Sequence, residues 1–219
     1  MKQAFLDEVA DLFGGEPSLR QIDGMERILA ASAGLPLKHR AYILGTAFHE
    51  VGGRMEPVRE AFGETDQETI DRLQRAWDAG KLKWVKKPYW RRDKDGRAWF
   101  GRGYVQITFR ENYRRLGKRL GVDLEMIPDL ALQPEVAARI LVVGMTEGLF
   151  TGRKMADFDN YTDMRRVVNG TDRAGLIAGY AKVFERALLA AADDDPAPEP
   201  APKWTSLWSR FLDFLRRED

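Results

Sequence analysis

Cysteine is absent from the 219 residues. Disulfides, thiolate metal centres and cysteine nucleophiles are therefore excluded, and the composition fits synthesis in a reducing cytoplasm. A charge excess of either sign is missing too: 35 Lys and Arg face 34 Asp and Glu, a net charge of +1. The overall balance names no charged partner, so patches must be sought locally. No stretch approaches the roughly 18 apolar residues of a membrane span. The first residues, "MKQAFLDEVADLFGG", lack an apolar signal core and carry acids at Asp7, Glu8 and Asp11, so no secretory signal is expected. No internal repeat is present.

What is there reads mostly with helical period. The chain is 44% hydrophobic, enough for one sizeable core. "SLRQIDGMERILAASAG" offers Ser18 as N-cap, a stripe of Ile22, Met25, Ile28 and Leu29, and Gly34 as a stop. "LPLKHRAYILGTAFHEVGG" spaces Leu37, Ala41, Leu44, Ala47, Phe48 and Val51 as a buried face ending at Gly52-Gly53. Further helices are expected over 66–80, from about Glu111 to Leu120, from Pro134, and after Thr171 or Asp172 as N-cap. "WFGRGYVQIT" has strand-like composition. The expected organisation is a helical domain over 1–192, a Pro/Ala linker over 193–202 and an amphipathic helix over 203–219.

The glycine break at 52–53 is flanked by carboxylates: Glu50 before it, Glu56 and Glu60 after it. His49-Glu50 invites a zinc reading, but a zinc-protease helix needs a second histidine four residues on, and that position is Gly53. The other histidine, His39, lies ten residues upstream. No metal is expected. An acid/base reading fits better. Glu50 ends an apolar helix, where partial desolvation and the helix C-terminus both favour a protonated carboxyl. A turn at the glycines would bring Glu60 back across a cleft, placing two acids on separate walls as glycoside hydrolysis requires. Solvated charges at a helix end remain the plain alternative.

A second motif joins the first. "WFGRGYVQITFRENY" over 99–113, taken with "HEVGG", resembles glycoside hydrolase family 19, the group of plant-type chitinases and chitinase-like phage endolysins. Phe100, Gly101, Arg102, Gly103, Gln106, Thr108, Asn112 and Tyr113 stand in the family register, with Ile107 in place of Leu. "RRVVNGTDRAGLIAGY" is similar to the family's I-I-N-G segment and following helix. The resemblance implies a mainly α, lysozyme-like fold with a small β-rich patch near 95–108, and no cofactor. It implies Glu50 as general acid, with Thr108 and Asn112 positioning water and substrate, and Gln106 and Asn169 lining the sugar cleft. Arg102, Tyr113 and Trp99 are expected contacts as well. The second acid is expected at Glu60, with Glu64 and Glu56 as alternatives. Leu176 stands where the family often has a cleft arginine.

Independently of the resemblance, Gln106 and Thr108 alternate with Val105 and Ile107, so on a strand they would share one polar face. Between Lys81 and Tyr104 there are nine Lys or Arg against Asp93 and Asp95, interleaved with Trp84, Tyr89, Trp90, Trp99 and Phe100. This mix suits stacking on sugars beside an anionic polymer, or single-stranded nucleic acid. The carboxylates and the motif favour glycan, and no nucleic-acid partner is expected. Residues 203–219 set Trp204, Leu207, Trp208, Phe211, Leu212 and Leu215 on one face, suited to a membrane interface or to docking on the domain. The expected function is inverting hydrolysis of β-1,4 linkages in peptidoglycan glycan strands by an endolysin. Such an enzyme is made in the bacterial cytoplasm without a signal peptide and acts in the periplasm or wall after release. A chitinase and a non-catalytic wall-binding module are the alternatives.

Overall fold

Eight helices and one two-stranded ribbon make up the described part of a computed structural model, residues 1–193. Of the linker expected over 193–202, Asp193 is instead the last residue of a helix, and the rest lies outside the described residues, as does the amphipathic helix over 203–219. The helices are α1 (Gln3–Phe13), α2 (Leu19–Ala31), α3 (Leu37–Glu50), α4 (Asp66–Asp78), α5 (Arg110–Leu120), α6 (Pro134–Glu147), α7 (Tyr161–Met164) and α8 (Ala174–Asp193). Strands β1 (Val58–Arg59) and β2 (Arg102–Gly103) pair antiparallel, with Val58 opposite Gly103 and Arg59 opposite Arg102.

Local chemistry sets the helix ends. Ser18 and Gln21 form a reciprocal capping box at the start of α2, which satisfies two donors that the first turn leaves unpaired. The Thr65 side chain accepts from the Glu68 N–H at the start of α4. Two ends differ from expectation. α2 stops at Ala31, three residues before Gly34. α8 starts at Ala174, and Thr171 contributes its backbone carbonyl rather than its hydroxyl.

α3 is the central element. Every residue from Ala41 to Phe48 is buried, because α8, α2 and α6 cover it on several sides. Gly45 sets the α3–α8 spacing: a Cβ there would lie 2.8 Å from the Ala181 backbone nitrogen. Overpacking of this kind costs about 1–3 kcal/mol. This large lobe holds Phe5, Met25, Leu44, Leu141, Met164 and Phe184 in one core.

A smaller lobe carries two further clusters. Trp99, Tyr113, Leu116 and Leu124 form one beneath α5, and Leu73, Trp90, Ala98 and Phe100 form the other beneath α4. β1 and β2 lie between the lobes. An ion network ties them down: Arg59 and Arg102 each bond both Asp66 and Asp129, at 2.5–2.9 Å.

The expected β-patch is therefore real but short. The strand at Arg102–Gly103 gives way to a tight turn with Gln106 at φ +52°, and one bridge joins Arg102 to Ile107. The alternation expected for Gln106 and Thr108 is corrected here: the two are held by turn geometry, not by a shared strand face.

Candidate active site

The candidate residues fall on two segments, and the first is the C-terminal end of α3. Gly52 and Gly53, at φ +59° and +77°, let the chain leave the helix in a left-handed turn, and the Gly53 N–H closes back on the Phe48 carbonyl at 2.8 Å. Glu50 is the last helical residue and is partly exposed. Its Oε1 accepts from Arg165 Nη1 at 2.6 Å, and Arg165 is buried. The partly desolvated acid expected from the sequence is 20% exposed and forms one half of an ion pair. Arg165 Nε also donates to the Asp172 carbonyl at 3.0 Å, which fixes the guanidinium against the segment leading into α8. Among the described residues, Glu50 Oε2 receives no hydrogen bond. Burial lowers the His49 pKa despite the nearby Glu50 carboxylate, so the imidazole is neutral at neutral pH.

The second segment, the wall on which Glu60 stands, follows β1. Glu60 follows the strand, and both its oxygens are held: Oε1 accepts from the Tyr89 hydroxyl at 2.6 Å, Oε2 from the Gly101 N–H at 2.7 Å. The Glu60 N–H in turn donates to the Gly101 carbonyl at 2.7 Å. Burial pushes the Tyr89 phenol pKa up, and the Glu60 carboxylate pushes it the same way, so Tyr89 remains a donor. Gln106 closes over this wall. Its Nε2 donates to the Val58 and Gly103 carbonyls, and a side chain at Gly101 would strike its Oε1 at 2.8 Å. The Thr108 hydroxyl donates to the Gln106 carbonyl at 2.9 Å, and Asn112 Nδ2 donates to the Thr108 carbonyl at 2.7 Å.

Glu60, Gln106, Thr108 and Asn112 are therefore brought together, with Tyr89 as a member that sequence reasoning assigned only to stacking. Arg165 was not assigned at all. It is one of two arginines, with the exposed Arg166, between the buried Met164 and Val167, and nothing in the sequence tells the two apart. Asn169 is exposed beyond Val167, with its Oδ1 accepting from the Gly170 N–H.

Three expected contacts are corrected. Arg102 is 1% exposed, and its guanidinium bonds Asp66, Asp129, the Ala98 carbonyl and Tyr113. Tyr113 is fully buried and donates to the Phe100 carbonyl. Trp99 is buried, and its indole N–H donates to Asp93. These side chains hold the second wall from behind. The alternative second acids, Glu56 and Glu64, both line a groove that also takes in Asp23, Val58, Arg59 and Phe62, and Glu60 does not line it.

Strain concentrates on the same two segments. The six non-glycine residues with positive φ among those described are Met55, Ala61, Phe62, Gln106, Phe109 and Arg173. Five lie on segments flanking Glu60 or leading to it, and Arg173 follows the Asp172 that anchors Arg165. Each costs on the order of 1–3 kcal/mol and persists only where the surroundings hold it.

Solved structures supply the comparison. Chitinase C from Streptomyces griseus HUT6037 is 16% identical, with a TM-score of 0.51 over 88% of this chain and 78% of that one. A bacterial family 19 chitinase is 20% identical, with a TM-score of 0.50 over 84% and 93%. A point variant of chitinase C is 16% identical, with a TM-score of 0.53 over 85% and 91%. The likeness shows the fold: this chain is mainly helical in the manner of the family 19 chitinases. No family model matches the sequence, and no curated protein matches it significantly.

Proposed function

We propose that the chain is a glycoside hydrolase that cleaves β-1,4 linkages of bacterial peptidoglycan by an inverting acid/base mechanism, as an endolysin. The observation that carries this reading is the pair of held carboxylates on separate segments: Glu50 against Arg165, Glu60 against Tyr89 and Gly101. A chitinase-like fold around them supports it.

Each residue then has a task. Glu50 gives a proton to the glycosidic oxygen as the C–O bond breaks. The carboxylate left behind faces the Arg165 guanidinium, which stabilises the charge where it forms. Glu60 takes a proton from a water that attacks the opposite face of the sugar. Thr108 and Asn112 flank that wall and orient the water. One water is consumed, and each new chain end gains a hydroxyl. The chain's own carboxylates suffice for these steps without a cofactor.

Peptidoglycan is favoured over chitin by the basic, aromatic rim beside Glu60. Chitin is the second reading, and the names of the structural neighbours favour it. In the endolysin reading the protein is made in the cytoplasm and reaches the wall after release. The apolar face written into 203–219 would bring it to the membrane surface. Mass spectrometry of products from purified peptidoglycan and from colloidal chitin tests the proposal. New reducing ends from peptidoglycan are expected. Intact glycan after prolonged incubation with folded protein would reject it.

A further inference from the structure

Beside the second wall lies a hollow of about 480 Å³ that the mechanism does not use. Trp84, Lys86, Lys87, Tyr89, Thr108 and Phe109 line it. Tyr89 is the residue that holds Glu60, and Thr108 belongs to the same wall. The hollow therefore adjoins the residues that hold Glu60.

Its composition is unusual for a protein surface. Trp84 is 75% exposed and Phe109 53%. Phe109 is held at φ +70° at the start of α5, with its ring packed edge-on against Tyr89 at 5.1 Å. A strained backbone that turns a large aromatic outward needs a reason. Flat aromatic faces fit the C–H faces of sugar rings.

The cations are equally uncompensated. Lys86 and Lys87 are exposed, and neither has an acidic partner among the described residues. The two acids of the stretch are occupied. Asp93 accepts from the Trp99 indole and the Asp95 and Arg97 backbone, and Asp95 pairs with Arg97. The hollow thus presents apolar faces with net positive charge at their edge.

We infer that this hollow is a specificity subsite for a carboxylate-bearing sugar: its aromatics take the ring while Lys86 and Lys87 take the carboxylate of the side arm. The inference deepens the proposed function and rests on it for the identity of the polymer. The carboxylate has two sources in a bacterial wall: the peptide of the side arm, or the lactyl ether itself where no peptide is attached. A neutral glycan such as chitin offers neither.

Sedimentation binding of the full-length protein separates these. Three polymers serve: intact sacculi, sacculi freed of peptide by an amidase, and chitin. The Lys86→Gln/Lys87→Gln double variant should bind anionic polymers about 5-fold more weakly, equivalent to about 1 kcal/mol, and chitin unchanged. Raised salt should erase the difference, because exposed charges are screened. A loss on intact sacculi alone assigns the peptide carboxylates, a loss on peptide-free sacculi alone assigns the lactyl carboxylate that the amidase frees, and a loss on both means that the lysines take either one. Trp84→Ala should weaken binding to all three polymers. Equal lysine effects on chitin and on sacculi would overturn the inference, as would no effect on any polymer. Binding is read without turnover. Absent hydrolysis with an intact lysine effect therefore rejects only the hydrolase reading.

Discussion

Arg102 and Arg165 are the two buried arginines among the described residues, and their surroundings differ. Arg102 is enclosed: Asp66, Asp129, a carbonyl and a phenol take its donors, and Phe100 lies under its guanidinium at 3.9 Å. All of those partners are scaffold. Arg165 has one acidic partner, Glu50, which is still partly open to solvent and keeps one oxygen without a protein donor among the described residues. A buried cation whose network closes on itself holds a fold together. One whose network ends at a partly exposed carboxylate is, in the proposed function, what holds the proton donor in place.

The contrast can be broken by substitution. Glu50→Gln removes the acid but keeps the shape, so turnover should fall about 100- to 10,000-fold while the thermal midpoint stays near that of the parent. Full activity in that variant would remove Glu50 from the chemistry. Arg102→Met should do the reverse in kind. It leaves a buried carbonyl and phenol without their partner, and unfolding by urea should show a loss of about 2–4 kcal/mol. A destabilisation no larger than that of Arg165→Met would mean that the two networks are not different.

Tyr89→Phe sharpens the comparison at the second wall. It removes one of two donors to Glu60, so kcat should drop about 10-fold with the fold intact. A variant as active as the parent would show that the Gly101 N–H alone fixes Glu60. The smallest effect is on pH dependence. Burial lowers the pKa of both His39 and His49. The unfolded chain then binds more protons below about pH 6.5, and stability falls as pH drops through that region. The loss levels off once the folded imidazoles also protonate. Thermal unfolding of His49→Gln between pH 7 and 5 should show a shallower decline than that of the parent.

Much of this molecule was legible from its residues. The helices at Leu19, Leu37, Asp66 and Pro134 were readable from their apolar period, with the Ser18 cap marking the first and Pro134 suiting the first turn of the last. The turn at Gly52-Gly53 was readable for a local reason: glycine pairs at positive φ have few other uses. The aromatic segment was less transparent. Trp99, Tyr113 and Arg102 look like ligand contacts by composition, and only their burial separates them from Trp84 and Phe109, which are exposed. Neighbouring residues in one basic stretch can face core or solvent, and period does not decide between them once the backbone leaves regular structure. Arg165 was hidden differently. An ion pair between residues 115 positions apart leaves no local pattern in a sequence.

Proton NMR of the first sugar ends released from peptidoglycan tests the two-acid account most directly. Attack by a water activated at Glu60, on the face opposite the bond that Glu50 protonates, should give the α-anomer before mutarotation sets in. A first product in the β configuration would contradict that arrangement, because it would require a covalent intermediate or a different pair of groups.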